Sequence, residues 1–190
     1  MLPALVIFAL TYLVMAIGKL PGYQLDRAGA ALLGASLMVG LGILTLAEAY
    51  AAIDMETITL LLGMMIVVAN LRLSGFFRLV NGYVVTRARH PLILLAAIVV
   101  VAGAFSAFLV NDTICLVMTP LVVDLVSRLK RNPVPYLLAL AMASNAGSVA
   151  TITGNPQNMI IGALSHIPYA VFAGELAPVA AVSLLLTIVL

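Results

Sequence analysis

Two short stretches hold most of the polar side chains in a chain that is otherwise apolar. The longer, "MASNAGSVATITGNPQNMIIG" (Met142 to Gly162), sets Ser144, Asn145, Ser148, Thr151, Thr153, Asn155, Gln157 and Asn158 around Gly147, Gly154 and Pro156. The shorter, "AFLVNDTICL", places Asn111, Asp112 and Thr113 between apolar neighbours. Amide and hydroxyl oxygens ligate small ions without burying net charge. Glycine weakens a helix, and Pro156 removes a backbone donor and strains the carbonyl one turn earlier. Backbone groups freed at membrane depth must face protein or a watery cavity. A half-helix beginning near Asn155–Pro156 points its N-terminal amides at that cavity, which favours an anion. Carbonyls ending the preceding half-helix, near Ser144–Gly147, favour a cation. The bland alternative is that small and amide residues only pack and bond helices together. So many polar, glycine and proline positions in one stretch weigh against it. Asp112 is the other candidate, since a carboxylate in a bilayer costs roughly 3 kcal/mol by insertion scales. With Asn111 and Thr113 it can ligate sodium or carry a proton. Alternatively the turn reaches water and Asp112 merely caps the next helix.

The elements that must position these residues are membrane spans. Hydrophobic residues make up 64% of the chain and charged residues 8%, with a mean hydropathy of +1.23, far from the balance of a soluble domain. A formal charge of +2 without a basic tract excludes nucleic acid as a partner. One cysteine permits no internal disulfide. Helix is forced, because unpaired backbone is too costly in lipid and no barrel alternation is present. The fold class is therefore all-α and polytopic. Spans are expected at 2–18, 28–47 and 57–77, with a hairpin over 91–127, a broken helix over 133–165 and a last span over 169–190. The first apolar run lacks the basic region and Ala-x-Ala site of a signal peptide.

Loop charges orient the spans. Lys19 and Arg27 flank the first loop, Glu48, Asp54 and Glu56 occupy the second, and Arg72, Arg78, Arg87 and Arg89 follow the third span. Arg128, Lys130 and Arg131 follow the hairpin. The positive-inside rule puts the N-terminus outside and both flanks of 91–127 in the cytoplasm. That segment is either two full spans or a re-entrant hairpin, and its short turn favours the second. Five crossings then remain, so a following copy would run inverted, as in inverted-repeat transporters with midplane sites. The chain ends within the apolar run "AAVSLLLTIVL", and a partner repeat is expected beyond residue 190.

Other polar positions read more plainly. Cys115 reads as a small packed hydrophobe. His166 lacks a second ligand at metal spacing. Arg72 and Arg78 snorkel at the interface, and Asp124 pairs with Arg128 at helical spacing. No nucleophile–base pair or metal cluster suggests an enzyme.

"FLVNDTICLVMTPLV" (Phe108–Val122) followed by "SNAGSVATITGNPQNMIIG" (Ser144–Gly162) resembles the ion transporter superfamily of divalent-anion/sodium symporters, citrate transporters, arsenite permeases and sodium/proton antiporters. "TITLLLGMMIVVANLRLSGFF" (Thr57–Phe77) is similar to the arsenite-permease-like branch. The resemblance runs from about Gly29 onward and covers one of two repeats. It implies elevator-like alternating access against a dimeric scaffold, with a hairpin and a broken helix forming one sodium site and half the substrate site. By position, Asn111 and its neighbours match the hairpin tip, and Ser144, Asn145, Gly147, Gly154, Asn155, Pro156 and Asn158 match the broken helix. The sodium ligands so implied are Asn111, Asp112, Ser144, Asn145 and Gly147, with Thr113 and Thr151 in the wider ion and substrate site. Where dicarboxylate symporters carry Ser-Asn-Thr, this chain has Val110-Asn111-Asp112. The added carboxylate leans toward the arsenite or antiporter branches.

The expectation is a secondary transporter of a small anion, coupled to sodium or protons, in a prokaryotic inner membrane. A sodium/proton antiporter and an arsenite permease are the alternatives within transport. A non-transporting membrane scaffold is the alternative outside it.

Overall fold

The computed structural model describes residues 2–18, 25–87 and 90–189. Lys19 and Arg89, used above for orientation, and Leu190 lie outside the described residues. Among the described residues every regular element is helical, as the composition requires. Three helices, Met55–Leu73, Pro91–Phe108 and Tyr169–Val189, are long and apolar enough to cross a membrane, and Leu2–Ile17 and Arg27–Gly40 are shorter apolar helices. The chain is an all-α polytopic membrane protein.

The helices fall into two units, residues 1–54 and 55–190. In the first, α1 (Leu2–Ile17) and α2 (Arg27–Gly40) run antiparallel, with the Thr11 side chain seated on Gly34. Asp26 caps α2 by accepting the Gly29 N–H at 2.7 Å. The span expected over 28–47 is corrected here, because α2 stops at Gly40. A turn follows, and then α3 (Leu46–Ala51), started by a reciprocal box in which Thr45 and Glu48 satisfy each other's backbone donors.

In the second unit, α4 (Met55–Leu73) ends at a turn, and α5 (Phe76–Arg87) begins beyond it. The expected run from 57 to 77 is therefore broken at Ser74–Gly75, where Gly75 takes a φ of +79° that favours a residue without Cβ. The hairpin appears as α6 (Pro91–Phe108) and α7 (Asn111–Arg128), separated only by Leu109 and Val110. Each arm is 18 residues, about 27 Å long at 1.5 Å per residue. Asp124 and Arg128 do pair, at 3.0 Å on the exposed face of α7, a contact of about 0.5 kcal/mol at most.

The broken helix is present. α8 (Val134–Ser148) stops, a 3-10 turn crosses Ile152–Gly154, and α9 (Pro156–Ser165) restarts behind Asn155, closing on His166 in the left-handed region. α10 (Tyr169–Val189) follows. α8 packs against α6, α7 and α10, and the core is mainly aliphatic, built on Leu94, Val99, Ile114, Leu125 and Leu140. Small residues let α6 and α8 meet backbone to backbone. A Cβ on Gly147 would lie 2.2 Å from the Gly103 carbonyl oxygen, an approach of the kind that membrane helices reserve for glycine, alanine and serine.

Candidate functional site

Local chemistry fixes the break. Pro156 occupies the first position of α9, where a missing N–H costs nothing. The Asn155 side chain accepts the Asn158 N–H at 2.8 Å, an N-cap, and its amide donates to the Ser148 hydroxyl at 3.1 Å. The Asn158 amide reaches three carbonyls, those of Thr151 (2.9 Å), Ser148 and Val149 (3.3 Å each). The end of α8 is thereby tied to the start of α9. Three carbonyls at the break, those of Ser148, Val149 and Thr151, are occupied by these amides. Those of Ala146 and Gly147, at the end of α8 where a cation was expected, accept the Val149 and Ala150 N–H groups.

A second network joins the break to the hairpin tip. Ser144, fully buried, donates its hydroxyl to the Asn111 carbonyl at 2.8 Å. Having one proton, it must then accept from Ser106, whose oxygen is 2.9 Å away. Asn111 Nδ2 donates to Asn145 Oδ1 at 3.1 Å, and Asn145 Nδ2 donates to the Ala141 carbonyl of its own helix. Thr151 donates to the Ala107 carbonyl at the end of α6, and Thr153 lies within 3.4 Å of the Phe108 carbonyl and 3.3 Å of the Tyr169 hydroxyl. Partners in α6 and α7 thus hold the end of α8, and the Ala107 and Phe108 carbonyls of α6 and the Tyr169 hydroxyl of α10 hold the irregular segment after it.

One open pocket of about 480 Å³ lies against these residues. Its walls are Asn111 and Asp112 from the start of α7, Asn145, Ser148 and Val149 from the end of α8, and Asn155, Pro156, Gln157 and Asn158 from the start of α9. Of the residues singled out from sequence, Asn111, Asp112, Asn145, Asn155, Pro156 and Asn158 meet there. Ser144, Gly147, Thr151 and Gly154 are buried and do not line it, nor does the half-buried Thr113. Gly154 is a close approach, since a Cβ there would sit 2.1 Å from the Ser148 carbonyl oxygen. Ser148 and Gln157, polar residues of the stretch that the sequence does not assign to the site, also line the pocket, as does Val149. The i, i+3, i+4 relation of Ser148 and Val149 to Asn145 was the available signal.

The electrostatics have two parts. The N-termini of α7 and α9 both open on the pocket, each worth roughly half a positive charge. Asp112, exposed in the first turn of α7, supplies one negative charge against them. Beside it, Asn111 Oδ1 is buried and lacks a hydrogen-bond partner among the described residues, an omission worth roughly 1–3 kcal/mol unless something fills it.

Residues 5–190 match the family described as citrate transporter. The chain is 34% identical to the silicon efflux transporter LSI3 of Oryza sativa subsp. japonica over 91% of its own length and 36% of that protein. It is 36% identical to the uncharacterized transporter Rv2685 of Mycobacterium tuberculosis (strain ATCC 25618 / H37Rv), covering 90% of this chain and 41% of the relative. It is also 38% identical to the inner membrane protein YbiR of Escherichia coli (strain K12), over 74% of this chain and 37% of that one. The chain therefore spans well under half the length of these relatives. No solved structure matches it significantly.

Proposed function

This chain belongs to the citrate transporter family, and from that premise we propose that it forms part of a secondary transporter moving a small anion by alternating access, coupled to sodium or protons. The observation that carries the reading is the convergence of two helix N-termini and one carboxylate on a single pocket. The two dipole ends sum to about one positive charge, which Asp112 cancels. An anion is then held well only when a cation or proton neutralises Asp112. Binding of the two is coupled, and co-transport follows if the loaded pocket changes sides more readily than the half-loaded one. The buried Asn111 Oδ1 and the Asp112 carboxylate are the oxygens offered to sodium. Gln157 and the start of α9 are offered to the anion.

In the whole protein, an inverted second repeat beyond residue 190 would complete the site, a homodimer would brace it, and the N-terminus would lie outside. The expected setting is a prokaryotic inner membrane. A pocket touching both Asn111 and Asn145 weighs against a dry, packed scaffold.

The test is flux in proteoliposomes holding the full-length protein, with small anions offered under sodium or proton gradients. Asn111→Ala and Asn145→Ala each remove one side of the 3.1 Å bond and are expected to abolish uptake at unchanged expression. Normal kinetics in both variants would sink the reading. The exposed Asp112 carboxylate also supports sodium/proton antiport. That mechanism predicts pH-dependent sodium flux with no anion requirement, lost in Asp112→Asn.

A further inference from the structure

We propose that the elbow between α4 and α5 binds the headgroup of an anionic phospholipid, with Arg72 and Arg78 as its phosphate ligands. A cavity of about 290 Å³ opens there, away from the polar pocket. Both arginines line it, and the rest of the wall is Leu73, Phe77, Val117, Pro120 and Leu121. Among the described residues no carboxylate lines the cavity and neither arginine is paired with one. The Arg78 guanidinium folds back over the turn, so that a Cβ on Gly75 would lie 3.5 Å from its Nη2. Two guanidinium groups around one cavity fit a phosphate diester, which accepts their paired N–H groups.

The surroundings favour a lipid over a free anion. Arg72 stands in the last turn of α4, a helix long and apolar enough to cross the membrane, and so near headgroup depth. Each arginine is followed in sequence by a largely exposed leucine, Leu73 at 82% and Leu79 at 75%. An apolar wall and exposed leucines beside two unpaired cations suit a glycerol backbone and acyl chains below a phosphate. A free anion gains nothing from them. Such a lipid would also bridge the α4–α5 elbow to the middle of α7, through Val117, Pro120 and Leu121.

The experiment is native mass spectrometry of the full-length protein with phosphatidylglycerol and phosphatidylcholine of identical chains. Phosphatidylglycerol should be retained in preference. Arg72→Gln and Arg78→Gln should each weaken it about fivefold, and the double variant about 25-fold. Arg128→Gln, which alters a cation already paired with Asp124, should leave it unchanged. Retention in the unaltered protein should also fall as sodium chloride rises, a readout that needs no variant to fold. Equal retention of the two lipids, salt-insensitive retention, or an equal loss in Arg128→Gln would overturn the proposal. So would complete displacement of the lipid by millimolar inorganic phosphate, which would assign the arginines to a free anion.

Discussion

Replacing Gly147 with alanine tests whether the site is held by backbone contact between α6 and α8. The added Cβ would stand 2.2 Å from the Gly103 carbonyl oxygen, 2.5 Å from its Cα and 2.6 Å from its carbonyl carbon. Ordinary van der Waals separation is greater by roughly 1 Å, and backbone atoms have no rotamer in which to escape. The helices must part by about that distance, at an overpacking cost near 3 kcal/mol, the upper end of the usual range. One turn earlier lie the Ser144 bonds to Asn111 (2.8 Å) and Ser106 (2.9 Å). The Ser106 bond, which joins α6 to α8, stretches past hydrogen-bonding range if the helices move so far, adding roughly 1 kcal/mol. The expected loss is therefore about 3–4 kcal/mol, read from denaturant unfolding of the full-length protein in detergent. Gly103→Ala should cost less, because the atoms nearest its Cβ belong to the movable Leu184 side chain, at 2.5 Å, rather than to backbone. Gly63→Ala, with nothing within 4 Å, should be neutral or slightly stabilising through helix propensity. Equal stability of the Gly147 and Gly63 variants would refute the reasoning.

Asn158→Ala removes the amide that reaches the Ser148, Val149 and Thr151 carbonyls. It should cost about 2–3 kcal/mol and accelerate hydrogen exchange at the start of α9, and unchanged exchange there would count against the tie described. Glu48 lies outside the spanning segments, and its carboxylate is held below the ordinary range first by the Thr45 backbone N–H and then by the Thr45 hydroxyl. A depressed value means that the cap stabilises α3 above the ordinary carboxylate range and is lost as pH falls through the lowered one. Thr45→Ala should raise the Glu48 titration toward the ordinary range, measured by carboxyl NMR of the labelled protein, and an unmoved titration would contradict the assignment.

The break and the hairpin tip were legible in the sequence because their signals are local. Asn155 before Pro156 is an N-cap followed by a first-turn proline, and the structure starts α9 there. Asn111 begins α7 after a two-residue turn. Two span ends were misread for a common reason. Hydropathy reports transfer to lipid, and Leu41, Ile43, Leu44, Phe76 and Phe77 are as apolar in a turn or a second helix as in a continued span. Only backbone geometry separates the cases. Membership of the pocket was less legible still. Ser144 and Ser148 are one turn apart on α8, yet Ser144 is spent on α6 and α7 while Ser148 reaches the pocket wall. Which of them faces a ligand depends on what the neighbouring helices present.

The hydrogen bonds also reapportion the polar stretch. Asn155, Asn158, Ser144 and Thr151 satisfy backbone and side-chain groups of the protein itself, so most of the amide and hydroxyl chemistry holds the break rather than offering ligands. The pocket keeps a smaller set, comprising the Asn111 Oδ1, the Asp112 carboxylate, the exposed Gln157 and the two helix starts. That division suits the transport cycle proposed above, in which the site holds its shape while losing and regaining an ion. If Asn155 and Asn158 were free to ligate, ion release would leave carbonyls of α8 exposed at membrane depth, at several kcal/mol per group. Because the chain satisfies those carbonyls itself, emptying the pocket exposes little beyond one amide oxygen and one carboxylate. Small polar residues so tied can stand in an apolar chain without making the unloaded pocket prohibitively costly.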